Sequence, residues 1–474
     1  MAKHGIQGRG ATREHSQAAS GGGSPIRMTK TSHQRETSEE LPAVPADRLT
    51  GPLTSFLHLE SVGGGLLLLA TVVAIGLFQS PWAHDYASLW ETPLGVRVAS
   101  IDFTRSFREW INDGLMTLFF FVVALELKRE LVLGEMRSPR KAAFSVAAAL
   151  GGMAVPAALY LALMGGGEGT RGFGTVMATD TAFVIGCLAL LGRRVPQNLR
   201  VFMLSLAIVD DIGAILVVAI GYSSDISWWP LAGGALGLVC VRGMSLAGIR
   251  SVPLYILVGV ACWVAIDASG LHPTIAGVCL GLLTPTRAWV TESRLRTILA
   301  HVAPPPTGDS RVDEAELRAT WRIAETAIRE SLSPVERLEM ALHPWVSIAI
   351  MPLFALANAG VALTGADLTS PITLAIIVGL SIGKPAGVTL FAWLAVRTGA
   401  ATRPTDVSWR MLAGGGLLAG IGFTMALFIA ELAFSETNVA PAKLGILAAS
   451  VLSALAGLAV LAWPVRARPP LPAA

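Results

Sequence analysis

Long apolar runs separated by short polar connections recur along most of the chain. A helix of about 20 apolar residues (range ~17–25) crosses the ~30 Å hydrocarbon core of a bilayer, and the pattern predicts twelve segments near this length. The predicted segments are 61–79, 113–132, 142–164, 173–191, 199–221, 228–243, 253–268, 272–286, 345–363, 372–395, 411–434 and 442–463. Backbone groups in lipid must be hydrogen-bonded within their own segment, so all twelve are predicted to be helices. The predicted fold class is an all-α polytopic membrane protein.

Composition supports this class and excludes a soluble enzyme. Only 15% of the residues are charged and 53% are hydrophobic, whereas ordinary globular proteins are about 25% charged. Residues 1–60 hold 13 of the 69 charged residues and 287–340 hold 17, so the other 360 residues share 39, or about 11%. The net charge of +3 is spread over many loops, which argues against a nucleic-acid partner.

The polar segments define the expected domain limits. Residues 1–54 are predicted to be a disordered cytosolic tail, 55–465 the membrane domain and 466–474 a C-terminal tail. The loops after the second, fourth, sixth and tenth segments carry thirteen Lys and Arg, against five after segments 1, 3, 5, 7, 9 and 11. Lys and Arg favour the cytoplasmic side, so both termini are expected to be cytoplasmic.

Two connections are long. The connection 80–112 is expected outside the cytoplasm, with a small hairpin near residues 90–98. The connection 287–343 is expected to be a cytoplasmic loop that contains an amphipathic helix, because apolar residues recur at helical spacing between 313 and 330. The pattern fits a helix on the membrane surface and a solvated linker helix equally well.

Four ionisable residues lie at the centres of apolar segments. Asp210 and Asp211 occupy the middle of the fifth segment, Lys384 the middle of the tenth, and Asp180 the middle of the fourth. A charge near the bilayer centre is costly and marks a functional site by default. A structural ion pair between helices is the alternative, but three carboxylates outnumber one lysine. The excess negative charge predicts a site for a cation or a proton.

Glycines mark a further segment that meets this depth. Gly420, Gly422 and Thr424 lie at the centre of the eleventh segment, and glycines that interrupt an apolar helix are typical of the discontinuous helices of inverted-repeat transporters. Thr179 and Asp180 are the polar counterpart in the fourth segment, if segments 3–5 and 10–12 are inverted repeats. Close helix packing is the alternative use of the glycines.

Helix ends at the midplane permit an estimate of charge. Each half-helix N-terminus contributes about +0.5 charge and each C-terminus about −0.5. Asp180 is expected to offset the two N-termini and Lys384 the two C-termini, which leaves Asp210 and Asp211 for transport. Carboxylate oxygens suit hard cations. Competition between a proton and such a cation for one site, with alternating exposure, produces antiport without a resident cofactor.

Several motifs, in order along residues 54–465, make the chain resemble the NhaA-type sodium/proton antiporters. The matching strings are Leu125-Glu126-Leu127-Lys128-Arg129-Glu130-Leu131, Ala178-Thr179-Asp180-Thr181-Ala182-Phe183, Asp210-Asp211, Val258-Gly259-Val260, His343-Pro344-Trp345, Phe354-Ala355-Leu356-Ala357-Asn358-Ala359-Gly360, Gly383-Lys384-Pro385 and Gly420-Ile421-Gly422-Phe423-Thr424. The resemblance implies twelve helices with inverted repeats and two broken helices that cross at the midplane. It also implies electrogenic exchange of cytoplasmic Na⁺ or Li⁺ for external protons, activated at alkaline pH, in a homodimer of the bacterial inner membrane.

The resemblance also implies roles for individual residues. Asp211 is the expected cation and proton carboxylate, Asp210 its partner, and Asp180 and Thr179 stabilise the crossing, with Thr179 near the ion. Lys384 is paired with Asp210 in the family, whereas the charge estimate assigns it to helix C-termini, and both placements stay open. The residues expected to control the pH response are Glu126, Arg129, His272 and Glu339. Glu336, where the family pattern has lysine, and the insertion at 288–333 depart from that pattern.

Two other functions fit parts of the pattern. A sodium-coupled solute symporter on the same scaffold needs a cavity for an organic solute and does not need Lys384 beside the aspartates. An intramembrane aspartyl protease needs two carboxylates that share a proton, and it leaves Lys384 and the broken eleventh segment without a role. The expected partners are therefore Na⁺ or Li⁺, protons and the lipid bilayer.

Overall fold

The structure is a computed structural model of the 474-residue chain. It describes residues 59–98, 101–223, 226–249, 251–302, 314–362, 368–404 and 406–463, which belong to one compact unit, Ser55–Ala474. The tails predicted at 1–54 and 466–474 lie outside the described residues.

Helices make up nearly all of the described chain, as the apolar pattern predicts. The helices are α1 Leu59–Phe78, α2 Ala83–Trp90, α3 Phe107–Val132, α4 Pro139–Met164, α5 Thr181–Leu190, α6 Gln197–Gly221, α7 Trp228–Leu246, α8 Val252–Ala268, α9 Thr274–Leu283, α10 Glu292–Val302, α11 Glu314–Arg329, α12 Pro334–Asn358, α13 Pro371–Arg397, α14 Trp409–Ala419, α15 Phe423–Ala433 and α16 Glu436–Ala462. A 3-10 helix at Glu168–Val176 precedes α5.

Seven of the described helices are long and apolar enough to cross a membrane. They are α3, α4, α6, α7, α12, α13 and α16. Two bent pairs of shorter helices raise the number to nine if each pair is one span, and the helices at 62–78, 252–268 and 274–283 are apolar but shorter. The chain is thus a multi-pass, largely α-helical membrane protein.

Helix α12 begins well before the segment predicted at 345–363. Ser333 and Glu336 form a capping box, in which the Ser333 hydroxyl accepts from the Glu336 N–H at 3.3 Å and the Glu336 carboxylate accepts from the Ser333 N–H at 2.9 Å. Pro334 occupies the first turn, where its missing N–H does no harm. The end of the predicted 287–343 loop is therefore helical. Apolar content alone missed this start because the first turns of α12 are amphipathic.

A two-stranded antiparallel hairpin lies between α2 and α3. Strand β1, Pro93–Val98, pairs with β2, Ile101–Ser106, with Gly95 opposite Thr104. The prediction placed this hairpin near residues 90–98 and so covered only its first strand. Ser106 then starts α3 by forming a capping box with Glu109, which joins the hairpin directly to a membrane-spanning helix.

Close helix packing surrounds the two bent pairs. Helix α4 packs along α13, and a Cβ added at Gly151 or Gly387 would collide with the backbone of the other. Helix α16 packs against both α13 and α14. Phe428 of α15 contacts Phe120 and Phe354, with ring centroids 5.6 and 6.3 Å apart. The bent pairs are therefore held inside the bundle by long continuous helices.

The two bent pairs are the only segments of this kind in the part of the chain that the structure describes. The 3-10 helix and α5 meet at 42°, and α14 and α15 meet at 45°. They coincide with the fourth and eleventh predicted segments. The breaks, at residues 177–180 and 420–422, leave backbone groups outside the helical hydrogen-bond pattern, and these groups require other partners.

Candidate ion site at two helix breaks

The two helix breaks contact each other directly. The Asp180 N–H donates to the Ile421 carbonyl at 2.7 Å. The Thr179 hydroxyl donates to the Ala419 carbonyl, at the end of α14, at 2.9 Å. The backbone at each break thus satisfies groups of the other, which is how irregular backbone can persist inside a membrane protein.

Asp180 faces the N-termini of two helices at once. Its Oδ1 accepts from the Phe183 N–H at 3.0 Å and so caps α5. Its Oδ2 accepts from the Thr424 N–H, in the first turn of α15, at 3.1 Å, and also from the Thr424 hydroxyl. The positive ends of α5 and α15 therefore surround one buried carboxylate, as the charge estimate from the sequence anticipates.

Lys384 contacts both of the groups that the sequence left as alternatives. Its ammonium lies 2.9 Å from Asp210 Oδ2, and neither side chain is exposed. It also donates to the Met177 carbonyl, directly after the 3-10 helix. Lys384 follows a π-helical turn at Gly379–Gly383 in α13, a local irregularity that is frequent at functional sites. One ammonium thus serves a carboxylate and a helix C-terminus.

Asp210 has a well-provided environment on one oxygen only. Oδ2 accepts from Lys384 and from the Thr179 hydroxyl at 2.7 Å. Oδ1 is buried and has no hydrogen-bond partner within the described residues. The negative charge of Asp210 is therefore matched by Lys384, while one of its oxygens stays available to a ligand.

Asp211, the adjacent residue of α6, has a different environment. Its side chain is 2% exposed, its Oδ2 accepts from the Thr181 hydroxyl at 3.3 Å, and its Oδ1 has no partner within the described residues. Among the described ion pairs, none involves Asp211. Adjacent helical residues point about 100° apart, which explains why Lys384 reaches Asp210 and not Asp211.

The glycines of the eleventh segment serve both uses that the sequence left open. Gly420 caps α14 at the break, and a Cβ there would lie 2.5 Å from the Leu380 carbonyl oxygen and 2.7 Å from Ser453 Oγ. Gly422 lies at the start of α15, close to the Ala178 carbonyl. Small residues at these positions therefore permit the break and also the close approach of α13.

The residues predicted to control the pH response fall into two separate groups. Arg129, near the C-terminus of α3, pairs with Glu339 of α12 at 2.7 Å. Glu126, one turn earlier, lies 3.6 Å from His343 Nε2. Read from the sequence alone, Glu126 and Arg129 form an ion pair with each other, but each faces α12 instead.

His272 belongs to the other end of α3. Its Nε2 lies 3.6 Å from Asp113 Oδ1 and its Nδ1 lies 2.8 Å from the Thr274 hydroxyl. Thirteen residues at 1.5 Å per residue put Asp113 about 20 Å from Glu126 along the helix. The His272 ring also packs edge-on against Phe428 of α15, which connects it to the second half of the broken segment.

Sequence reasoning missed several polar residues near the breaks and near His272. Arg105 of strand β2 bonds both Asp113 of α3 and Asp267 of α8. The Ser450 hydroxyl accepts from the Phe423 N–H at 3.2 Å, at the start of α15. The loop position of Arg105 and the low polarity of Ser450 gave no signal, although the aspartate in α8 was a detectable mid-sequence charge.

Buried charges held where two broken helices meet are the arrangement of ion sites in secondary transporters, and fold and site together define this class. The model of the family described as Na⁺/H⁺ antiporter 1 matches residues 54–461. The chain belongs to this family.

Curated relatives agree over nearly their whole length. The chain is 57% identical to Na(+)/H(+) antiporter NhaA 1 of Acidiphilium cryptum over 434 residues, 92% of this chain and 97% of the relative. It is 57% identical to Na(+)/H(+) antiporter NhaA of Rhizobium meliloti over 426 residues, 90% and 98% of the two chains. It is 54% identical to NhaA 2 of Vibrio vulnificus, over 89% and 95%.

Proposed function

We propose that this chain is a secondary antiporter that exchanges cytoplasmic Na⁺ or Li⁺ for external protons, and so serves sodium and pH homeostasis. Membership of the family and the names of its relatives support the exchange of Na⁺ for H⁺. The observation that carries the assignment to particular residues is the environment of Asp211, a buried carboxylate with one weak hydroxyl contact and no lysine.

The charge balance of the site supports cation binding at Asp211. Asp180 lies against two helix N-termini, and Asp210 lies against Lys384. Each of these carboxylates is thus offset within the protein. Asp211 remains as the excess negative charge, and a buried carboxylate without a countercharge must take up either a proton or a cation.

Competition for Asp211 produces the exchange. Carboxylate and hydroxyl oxygens suit a hard cation, and Asp211, Asp210 Oδ1 and Thr179 are the candidate oxygens of the site. A proton on Asp211 removes the charge that attracts Na⁺, so acid expels the cation and alkaline conditions favour its loading. Alternating exposure of this site to the two sides then moves Na⁺ outward and protons inward.

Electrogenic exchange requires more than one proton for each Na⁺. Asp210 and Lys384 are the two ionisable groups beside Asp211 that can supply the second proton. We expect activation at alkaline pH to involve the pairs Arg129–Glu339 and Glu126–His343, which join the cytoplasmic end of α3 to α12.

The proposed scaffold has twelve spans with inverted repeats that cross at the midplane. The observations that favour it are the apolar helices at each predicted segment and the order of elements around each break. In both cases a long helix, a broken pair and another long helix follow in sequence: α4 to α6, and α13 to α16. The proposed location is the bacterial inner membrane, with both termini cytoplasmic and a homodimer formed through the β1–β2 hairpin.

Everted membrane vesicles test the function. In vesicles that hold a proton gradient, added Na⁺ or Li⁺ should dissipate the gradient, and increasingly so from neutral to alkaline pH. The dequenching of a pH-sensitive dye reports the change, with vesicles from cells that lack the protein as the control. No response to any monovalent cation would contradict the antiporter function.

A further inference from the structure

The inserted segment between α9 and α12 forms two helices that are anchored near the membrane domain. The Trp289 and Val290 N–H groups donate to the Glu330 carbonyl at 3.2 and 3.1 Å. The Val335 N–H donates to the Pro285 carbonyl at 3.3 Å. These bonds hold the start of α10 and the end of α11 beside the ends of two apolar helices, and α10 and α11 pack on each other.

Helix α11 has two different apolar faces. Ala324 and Ala327 are buried, whereas Trp321 and Ile328 are 56% and 51% exposed. Seven residues are nearly two helical turns, so Trp321 and Ile328 lie on the same face. The largest apolar side chains of the helix are therefore directed away from the protein, and the small ones make its contact with the protein. We call Trp321 and Ile328 the apolar stripe.

Arginines border the apolar stripe. Arg322 and Arg329 are exposed, are also seven residues apart, and lie about 80–100° around the helix from the stripe. An exposed apolar stripe that contains tryptophan, with arginines on the adjacent arc, is the pattern of helices that lie in a bilayer surface. Tryptophan is enriched at this depth, and arginine reaches from an apolar surface to the headgroups.

We propose that α11 lies on the surface of the bilayer, with its apolar stripe at the boundary of headgroups and acyl chains and with Arg322 and Arg329 bound to anionic phospholipid headgroups. Two features favour lipid as the occupant. The bonds at residues 285, 289, 290, 330 and 335 keep α11 next to helices that belong to the membrane domain, and its exposed arginines complement anionic headgroups. This inference depends on the membrane location of the chain and not on ion exchange.

Site-directed spin labels in proteoliposomes test the inference. Single cysteines replace Trp321 and Ile328 in the stripe, and Thr326, which is exposed about 140° from Trp321, serves as the matched control. The native cysteines at 187, 240, 262 and 279 are replaced first. Power saturation with oxygen and with a water-soluble nickel chelate then reports depth, in phosphatidylcholine vesicles with and without phosphatidylglycerol.

The expected result is a several-fold lower nickel accessibility and a higher oxygen accessibility at 321 and 328 than at 326, strongest with phosphatidylglycerol. Arg322→Gln/Arg329→Gln should remove the dependence on phosphatidylglycerol, and Glu325→Gln should not. High nickel accessibility at 321 and 328 in both lipids would overturn the proposal in favour of a solvated helix. Low accessibility to both reagents would overturn it in favour of a second copy of the chain.

A second measurement does not require any substitution. Amide hydrogen exchange of the unmodified chain in the same vesicles should slow in α11 when phosphatidylglycerol is present, and raised salt should reverse the effect because it screens the headgroup charge. Exchange in α11 that is identical in both lipids would contradict the binding of anionic headgroups. Both experiments can succeed or fail whether or not the chain exchanges Na⁺ for protons.

Discussion

The Lys384 ammonium and the Asp210 carboxylate are 2.9 Å apart, from Nζ to Oδ2, and neither side chain is exposed. A pair of this kind is held by mutual dependence, because removal of one partner leaves the other as an uncompensated buried charge. Such a loss costs about 3–5 kcal/mol. The additional bond from Lys384 to the Met177 carbonyl ties this pair to the break before α5.

Lys384→Ala should therefore lower the free energy of unfolding, with the cost set by the charge left on Asp210. In Lys384→Ala/Asp210→Asn, which removes both charges, most of that loss should be recovered. Thermal unfolding of the four proteins in detergent completes a double-mutant cycle. Additive effects would show that the pair is not energetically coupled, and unchanged charge movement per Na⁺ in Lys384→Ala would remove Lys384 from the coupling mechanism.

Asp211→Asn should abolish exchange and leave folding intact. Asparagine has nearly the same shape and still accepts from the Thr181 hydroxyl, but it cannot ionise, and no ion pair of Asp211 is present to be lost among the described residues. The everted-vesicle assay measures exchange, and unfolding temperature measures stability. The matched control is Thr181→Ala, which should weaken cation affinity and retain exchange. Normal transport by Asp211→Asn would refute the role of this carboxylate.

Asp180→Ala and Asp180→Asn should differ in stability by a predictable order. The alanine variant loses the caps of both α5 and α15, each of which is worth about 0.5–2 kcal/mol. The asparagine variant keeps one acceptor oxygen and should retain one cap. Unfolding temperatures should therefore decrease from wild type to Asp180→Asn to Asp180→Ala. Equal temperatures for the two variants would show that the two carboxylate oxygens do not act separately.

The depth of the charged groups could be predicted from the sequence because lipid excludes charge. Asp180, Asp210, Asp211 and Lys384 lie mid-segment in a chain with few charges, and the structure brings all four to the two helix breaks. Helix positions followed from the same principle. The identity of the partners did not, since the rotation of α6 decides whether Lys384 meets Asp210 or Asp211, and packing sets that rotation.

Contacts between distant segments were also beyond the sequence. Glu126 and Arg129 have the spacing of an ion pair within a helix, but the amphipathic start of α12 brings Glu339 and His343 to them. The carbonyl of Met177 carries no residue-specific signal, because any residue would offer the same group to Lys384. Such contacts depend on tertiary packing, for which one sequence holds no direct record.

Arg105 offers a test of how firmly the β1–β2 hairpin is held to the membrane helices. It bonds Asp113 of α3 and Asp267 of α8, and all three side chains are mostly buried, whereas nearby Arg108 pairs with Glu91, whose side chain is 60% exposed. Hydrogen bonds to charged groups contribute about 1.5–3 kcal/mol when shielded, and exposed ion pairs about 0–1 kcal/mol. The two arginines therefore make a matched pair of sites.

Arg105→Gln should lower the unfolding temperature clearly more than Arg108→Gln does. It should also speed amide hydrogen exchange in both strands of the hairpin, because the link from β2 to α3 and α8 is lost. Arg105→Lys should recover part of the loss, since a lysine can contact one of the two aspartates but lacks the planar fork that spans both. Equal shifts for the two glutamine variants would mean that the hairpin is held by its backbone pairing and by Ser106, and that the link through Arg105 contributes little.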